Sequence, residues 1–579
     1  MNLLFRTWLA LVICWSTPCL AEMAAPAARP NVVLIITDDQ GWGDFGFHGN
    51  AQIRTPHLDR LAADGLELTR FYVSPVCAPT RASLLTGRYN YRTGVVDTFR
   101  GRAMMHADEV TLAEMLAGAG YRTGIFGKWH LGDNYPLRAG DQGFQESLVH
   151  GGGGIAQASD PPQGNHYQDP WLWHNGHLQQ SHGYCSDVYT DAAIDFINRR
   201  GEQPFFVYLA FNCPHLPLEV RGQDDAPYHA AGLDDTTAKI YGMVTNIDEN
   251  IGRLLAALDE AKLADNTIVI FLTDNGPQQD RFNGQMRGRK SNVYDGGIRV
   301  PLLVRWPGHV AAGAKVDTVA AHIDITPTLL AACDVATPPD VKFDGQSLLP
   351  LWIGGAHAAP PGLADRTLFI QTHRGDVPQL GRNCTAIGPR WKLVQAAGWR
   401  EGPFADSEKK FELFDILADP REAHDRAAAE PEVFAQLMRQ YEAWFRDVES
   451  TRQFAPPRIE IGSSHENPVL LTRQENRGDE PGHWLVDIAP GRYEIKVIVG
   501  PADVERRVAL LVPAESDDEL LSVTVPAGAT EVSLASDKLL RGGPCSLEPY
   551  SVSSSAPAAD QKRSGVRYLQ LRRVDLPAD

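Results

Sequence analysis

Positive charge is in deficit along this chain: 54 lysines and arginines face 72 aspartates and glutamates, for a formal charge of -18 at pH 7. Such a surface repels nucleic acid and anionic membranes and excludes both as partners, so an anionic substrate would need a locally basic site. Cysteine is scarce, with eight in 579 residues. Cys14 and Cys19 fall in an N-terminal leader, and once Cys77 is set apart for the reasons below, Cys185, Cys213, Cys333, Cys384 and Cys545 remain. An odd, irregularly spaced set excludes a disulfide framework and leaves room for a single unspecified bridge. Neither thiolates nor histidines stand at zinc spacing. Beyond the leader no apolar run approaches the length of a membrane span, and no repeat or heptad pattern is present.

What remains, 43% apolar and 22% charged residues, is the composition of a folded soluble protein, and the length calls for two or three domains. Residues 1–21, MNLLFRTWLALVICWSTPCLA, combine Arg6, an apolar run from Trp8 to Trp15 and the small Ala21. This predicts a signal peptide and export to the periplasm or the outside, with release rather than lipid anchoring.

The most informative stretch is SPVCAPTRASLLTGRY, Ser74 to Tyr89. Pro79 suits the first turn of a helix, which puts Cys77 at a helix N-terminus, where free N–H groups and the dipole favour an anion. Arg81, four residues on, shares that face and offers a guanidinium fork. Composition alone reads Cys77 as a small buried apolar side chain.

Two other places carry oxygen ligands. NVVLIIT, Asn31 to Thr37, and TIVIFLT, Thr267 to Thr273, are apolar without alternation and predict strands of a parallel sheet buried on both faces. The first ends in Asp38 and Asp39, the second in Asp274 and Asn275. Adjacent carboxylates repel unless a cation lies between them, although an Asp pair can also cap a helix. Hard oxygen donors suit calcium, with magnesium as second choice.

Further strands are predicted over Tyr121 to Phe126 and Phe205 to Phe211, with helices over Thr111–Gly120 and Val188–Arg200 and a long amphipathic one from Thr236. Lys128 and His130 follow the first of these strands and His215 the second, at the strand ends where open α/β sheets bind ligands. Gly151 to Tyr184, with four consecutive glycines, Trp171 and Trp173, reads as a long substrate-facing loop. Its tryptophans could stack on a sugar or pin the loop. Lys290 lies in a glycine-bounded loop ahead of the strand VPLLVRW.

Cys-x-Pro-x-Arg followed by ASLLTGR resembles the signature of type I, arylsulfatase-like sulfatases of the alkaline phosphatase superfamily. The segments GKWH, RGRK, YDGGIRVP and FELFDI with a following DP fit the same resemblance, which covers roughly Asn31 to Val448. It implies an α/β fold: a large, mostly parallel sheet flanked by helices over 31–360 and a small antiparallel α+β subdomain over 361–450. Residues 456–579, beyond the family region, alternate like strands of an extra β-sandwich-like domain, which could bind carbohydrate but reads rather as a structural cover.

The resemblance also implies that a maturation enzyme converts Cys77 to formylglycine (3-oxoalanine), and that Asp38, Asp39, Asp274, Asn275 and the modified Cys77 bind one Ca2+. One hydroxyl of the hydrated aldehyde then attacks sulfur in line, with Arg81, Lys128 and Lys290 holding the sulfate oxygens. His215, preferred over Lys290, protonates the leaving alcohol, and His130 takes the proton of the second hydroxyl. The expected function is hydrolysis of an organic sulfate ester, a small molecule or a sulfated polysaccharide. A phosphate or phosphonate ester hydrolase on the same scaffold, and a catalytically dead binder of sulfated glycan, are the alternatives.

Overall fold

The structure is a computed structural model and describes residues 29–199, 201–553 and 563–576; residues 1–21, where a signal peptide is expected, lie outside them. Among the described residues no helix is long and apolar enough to cross a membrane.

The unbroken apolar run Asn31–Thr37 forms a strand with every side chain buried, paired in parallel with Thr267–Thr273 on one side and Phe205–Ala210 on the other. These strands belong to an eleven-stranded mixed sheet in which Arg122–Lys128 and Glu146–His150 continue the parallel run. Arg299–Arg305 joins Thr267–Thr273 antiparallel. Alternate residues of the first strand serve opposite cores: Val32, Leu34 and Ile36 pack on one face, Val33 and Ile35 on the other. Each such side chain contributes about 1.5–3 kcal/mol by leaving water, which is why these runs read as buried strands.

The long amphipathic helix is present as Asp235–Glu260, N-capped by Asp234. The helix after Thr111 is Leu112–Gly118 and carries the capping box between Thr111 and Glu114. Two expectations are corrected. The strand predicted over Tyr121–Phe126 runs on to Lys128, because its parallel pairing with Glu146–His150 continues to the Lys128–His150 pair. The stretch Gly151–Tyr184 is not irregular throughout. Trp171–His174 and His177–Gln180 form a hairpin that extends the main sheet beyond Glu146–His150, and both tryptophans are half-buried strand residues.

Residues Leu368–Asp415 form a four-stranded antiparallel sheet against which the helix Pro431–Arg452 packs. Beyond it, the described residues between Ile459 and Arg573 build three small sheets around one apolar core. That core also takes in Met104 and Leu137, two side chains from the larger α/β part.

Candidate active site

Register assembles the acidic half of the site. Thr37 lies opposite Thr273 in the parallel pair, so the residues just past each strand end, Asp38–Asp39 and Asp274–Asn275, come out side by side. The Asp39 amide donates to Asp274 Oδ1 at 3.2 Å, and Asn275 Nδ2 donates to Asp39 Oδ1 at 2.8 Å. Asp39 turns away from the strand at φ 65, a left-handed conformation that aspartate tolerates better than most residues.

The helix Cys77–Thr86 begins on these strand ends. Thr80 Oγ1 donates to the Asp274 carbonyl at 2.7 Å, all ten helical residues are buried, and Gly87 closes the helix at φ 68. Cys77 is the first helical residue, as its flanking prolines predict. Its sulfur and oxygens of Asp38 and Asp274 lie within 4.8 Å of one another, close enough to ligate one ion.

Basic groups surround the carboxylates. Lys128 Nζ is 2.5 Å from Asp38 Oδ2, Lys290 Nζ 2.5 Å from Asp39 Oδ1, and His215 Nε2 3.8 Å from Asp39 Oδ2. The loop bearing Lys290 is fixed by backbone bonds from Lys290 to Pro277 and from Ser291 to Pro75, next to the Cys77 helix. Arg81 is fully buried and directed inward: its guanidinium donates to Asp274 Oδ2 at 2.9 Å and to the Lys128 carbonyl at 3.1 Å. It therefore holds the walls of the site together, with only Nε lacking a partner among the described residues.

The electrostatics follow from burial and this interleaving. Burial, together with Asp38, pushes the Asp274 carboxyl up to about 6 against the pull of Arg81 and Lys128. Burial also works against an ionised Asp39, but Lys290 and His215 outweigh it and hold that carboxyl well below the usual range. Burial raises the Cys77 thiol, and Lys128 and Lys290 only partly offset it, so an unmodified Cys77 is a poor thiolate here. His215 is lowered to about 4, mainly by burial.

Asp38 Oδ1, Asp39 Oδ2 and Asn275 Oδ1 are buried and lack hydrogen-bond partners among the described residues. Unpaired buried oxygens on two acidic residues and an amide are the donor set of a hard divalent cation. The residues present fit such an ion.

The comparisons with known proteins give the family. A Sulfatase family model matches residues 30–335, and the model for the C-terminal part of N-sulphoglucosamine sulphohydrolase matches 289–447. The chain belongs to the sulfatase family. It is a sulfuric ester hydrolase. Arylsulfatase A of Homo sapiens is 32% identical over 505 residues, spanning 78% of this sulfatase and 94% of that protein. N-acetylgalactosamine-6-sulfatase of Homo sapiens is 35% identical over 378 residues, spanning 60% and 69%. Among solved structures, Ps i-CgsB in complex with k-i-k-neocarrahexaose is similar at a TM-score of 0.64 and 27% identity, over 74% of this sulfatase and 94% of that chain.

The fold thus gathers the ten residues singled out from the sequence around one set of strand ends, except that His130 stands to the side. Its ring is buried, turned inward at φ 61, and its Nε2 lies 2.7 Å from the Thr98 carbonyl. A carbonyl only accepts, so Nε2 carries the proton and Nδ1 keeps its lone pair. Sequence reasoning missed three neighbours of this ring. His150 ends the strand beside Lys128, and Gln474 and Glu475 arrive from the C-terminal sheets. The strand-end position of His150 was a usable signal, whereas Gln474 and Glu475 carry none.

Proposed function

We propose that this sulfatase releases sulfate from a sulfated carbohydrate, using a formylglycine made from Cys77 and a bound Ca2+, with Mg2+ as second choice. The single observation that carries the reading is the geometry around Cys77. It is a buried helix-start residue among three carboxylates, each paired with a buried or nearly buried cation, and Asp38 Oδ1 and Asp39 Oδ2 among their oxygens have no hydrogen-bond partner among the described residues.

Asp38, Asp39, Asp274 and Asn275 would hold the ion, which when bound supplies positive charge to the nucleophile and the sulfate oxygens. A hydrated aldehyde at position 77 supplies one hydroxyl for attack on sulfur and a second through which sulfate is expelled. The chain's own groups do the rest. Arg81 fixes Asp274 against the Cys77 helix. Lys128 and Lys290, each a point charge beside a carboxylate, turn to the sulfate oxygens when the carboxylates serve the ion. His215 delivers a proton to the leaving alcohol, and Nδ1 of His130 accepts one.

The carbohydrate reading draws on Ps i-CgsB, whose structure holds a neocarrahexaose, and on the names of the N-acetylgalactosamine-6-sulfatases. In this reading residues 31–360 are the catalytic unit, 361–450 its smaller subdomain and 456–579 an added β domain. The leader 1–21 directs export, and a formylglycine-generating or equivalent enzyme acts on the chain.

The deciding experiment is the mass of the tryptic peptide Phe71–Arg81 from protein made in its native host. A mass lower by the difference between CH2SH and CHO supports the mechanism, and unmodified thiol in every copy of an active enzyme overturns it.

A further inference from the structure

The C-terminal sheets touch the α/β part at a specific place. The strand Val469–Thr472 is followed by a turn carrying Gln474, Glu475 and Arg477. The Gln474 carbonyl accepts from Gly101 N at 2.8 Å, and Arg477 Nη1 donates to the Gly101 carbonyl at 2.9 Å, clamping the turn to the loop after Thr98. The Gln474 amide nitrogen donates to the Thr98 carbonyl at 2.9 Å, the same oxygen that fixes Nε2 of His130, and lies 3.5 Å from that nitrogen. Two N–H groups cannot bond one another, so the amide and the imidazole share one acceptor.

Behind the ring stands a carboxyl pair. Glu475, 2% exposed, accepts from Thr472 Oγ1 at 2.7 Å and is the neighbour of Asp133, both of whose oxygens accept from Gly152 N. A cavity of about 10 Å3 joins His130, Asp133, Gln474 and Glu475. The glycine run closes over it. A Cβ on Gly152 would lie 3.2 Å from the Gln474 amide carbon and only 2.3 Å from Ser159 Oγ, and one on Gly153 would meet the His130 ring at 2.8 Å.

We propose that the C-terminal β module is part of the active site: Gln474 is a positioning residue that holds His130, through the Thr98 carbonyl, in the tautomer that leaves Nδ1 free. Asp133 and Glu475 anchor the turn that presents it. The proposal rests on His130 acting as a proton acceptor and goes beyond that assignment by giving it a partner outside the sulfatase family region.

The groups facing the ring set how a change would be read. Lys128, Arg81 and His150 act on the ring as nearby charges, and the neutral Gln474 amide and the Asp133–Glu475 pair share the cavity with it. Burial and the nearby Lys128 favour the neutral ring. An anion at position 474 would favour the protonated one.

The test uses the full chain with a small aryl sulfate as substrate, comparing wild type, His130→Ala, Gln474→Leu and Gln474→Glu. The expected result for Gln474→Leu is a fall in kcat of about 10- to 100-fold with KM within about threefold of wild type. Gln474→Glu is expected to move the acidic limb of kcat to higher pH by about one unit, because His130 acts after the alcohol has left. Folded Gln474 variants with wild-type kcat and an unmoved limb would overturn the proposal. So would a kcat loss in Gln474→Leu that follows its melting temperature while the limb of Gln474→Glu stays in place, since that pattern belongs to a purely structural role. Failure of the underlying reading looks different: the wild type hydrolyses nothing, or His130→Ala is undiminished.

Discussion

The ammonium of Lys128 lies 2.5 Å from a carboxylate oxygen of Asp38, with neither side chain exposed, and the two stand on strands separated by Phe205–Ala210. Removing one partner of such a pair leaves an uncompensated buried charge and costs about 3–5 kcal/mol. Lys128→Met should therefore melt well below wild type in chelator. If Asp38 is a cation ligand, added Ca2+ should recover more of that loss than Mg2+, and wild type should also gain stability on Ca2+ addition, about 2.7 kcal/mol at a hundredfold excess over Kd. Melting curves in chelator, Ca2+ and Mg2+ check this.

His215 should matter in proportion to how badly the leaving group needs a proton. His215→Ala is expected to lose about 10²–10⁴-fold on a sugar sulfate and much less on an aryl sulfate with an acidic phenol. With the His215 pKa at about 4, its protonated fraction in the free enzyme falls as pH rises above that value, so kcat/KM on the sugar ester should decline toward alkaline pH. Lys290 is held protonated by Asp39 despite its burial and would give no such limb. A pH profile that is flat through this range would transfer the role to Lys290.

The Asp133–Glu475 pair makes stability depend on pH. Burial raises both carboxyls above their ordinary range, Asp133 to about 6 and Glu475 well above its usual value. The folded chain therefore keeps protons that the unfolded chain has released above about pH 4. This contribution is fully present below pH 4 and is lost as pH rises through about 6 and beyond. Glu475→Gln, which needs no proton to donate, should flatten the dependence and melt higher than wild type at pH 8. Thermal melts of both proteins from pH 4 to pH 8 decide it.

Lys392 ties the small antiparallel sheet to the loop that follows Lys290. Its Nζ is 2.6 Å from Asp295 Oδ1 and 2.7 Å from Glu422 Oε1, all three side chains being buried. Lys392→Met is expected to cost about 3–5 kcal/mol at neutral pH. The loss should shrink in acid, because burial already pushes Glu422 up to about 7 and a protonated Glu422 no longer repels Asp295. Denaturant unfolding at two pH values measures both.

Much of this was legible in the sequence for one physical reason. A strand buried on both faces must be apolar throughout, so Asn31–Thr37 and Thr267–Thr273 announce themselves, and whatever polar residues follow them stand at one edge of the sheet. Asp38, Asp39, Asp274 and Asn275 needed no more than that. Other features depend on contacts that leave no local trace. Trp171 and Trp173 read as loop residues because their strand is four residues long and exists by pairing with Glu146–His150. Arg81 read as a guanidinium beside Cys77 for the sulfate oxygens, since nothing near it in sequence reveals that Asp274 takes its guanidinium. Gln474 and His130 are 344 positions apart, and no period or motif connects them.

Burial also imposes an order in time. Cys77 is 2% exposed and every residue of its helix is buried, so a protein catalyst that alters its side chain must arrive while the chain is still open. The loop around Lys290, made long after Cys77 itself, is bonded back to Pro75, two residues before Cys77. Synthesis runs from the N-terminus, so the interval between these two segments is the time in which the proposed maturation would compete with folding. A variant that folds faster would then be purified with more of its Cys77 unconverted.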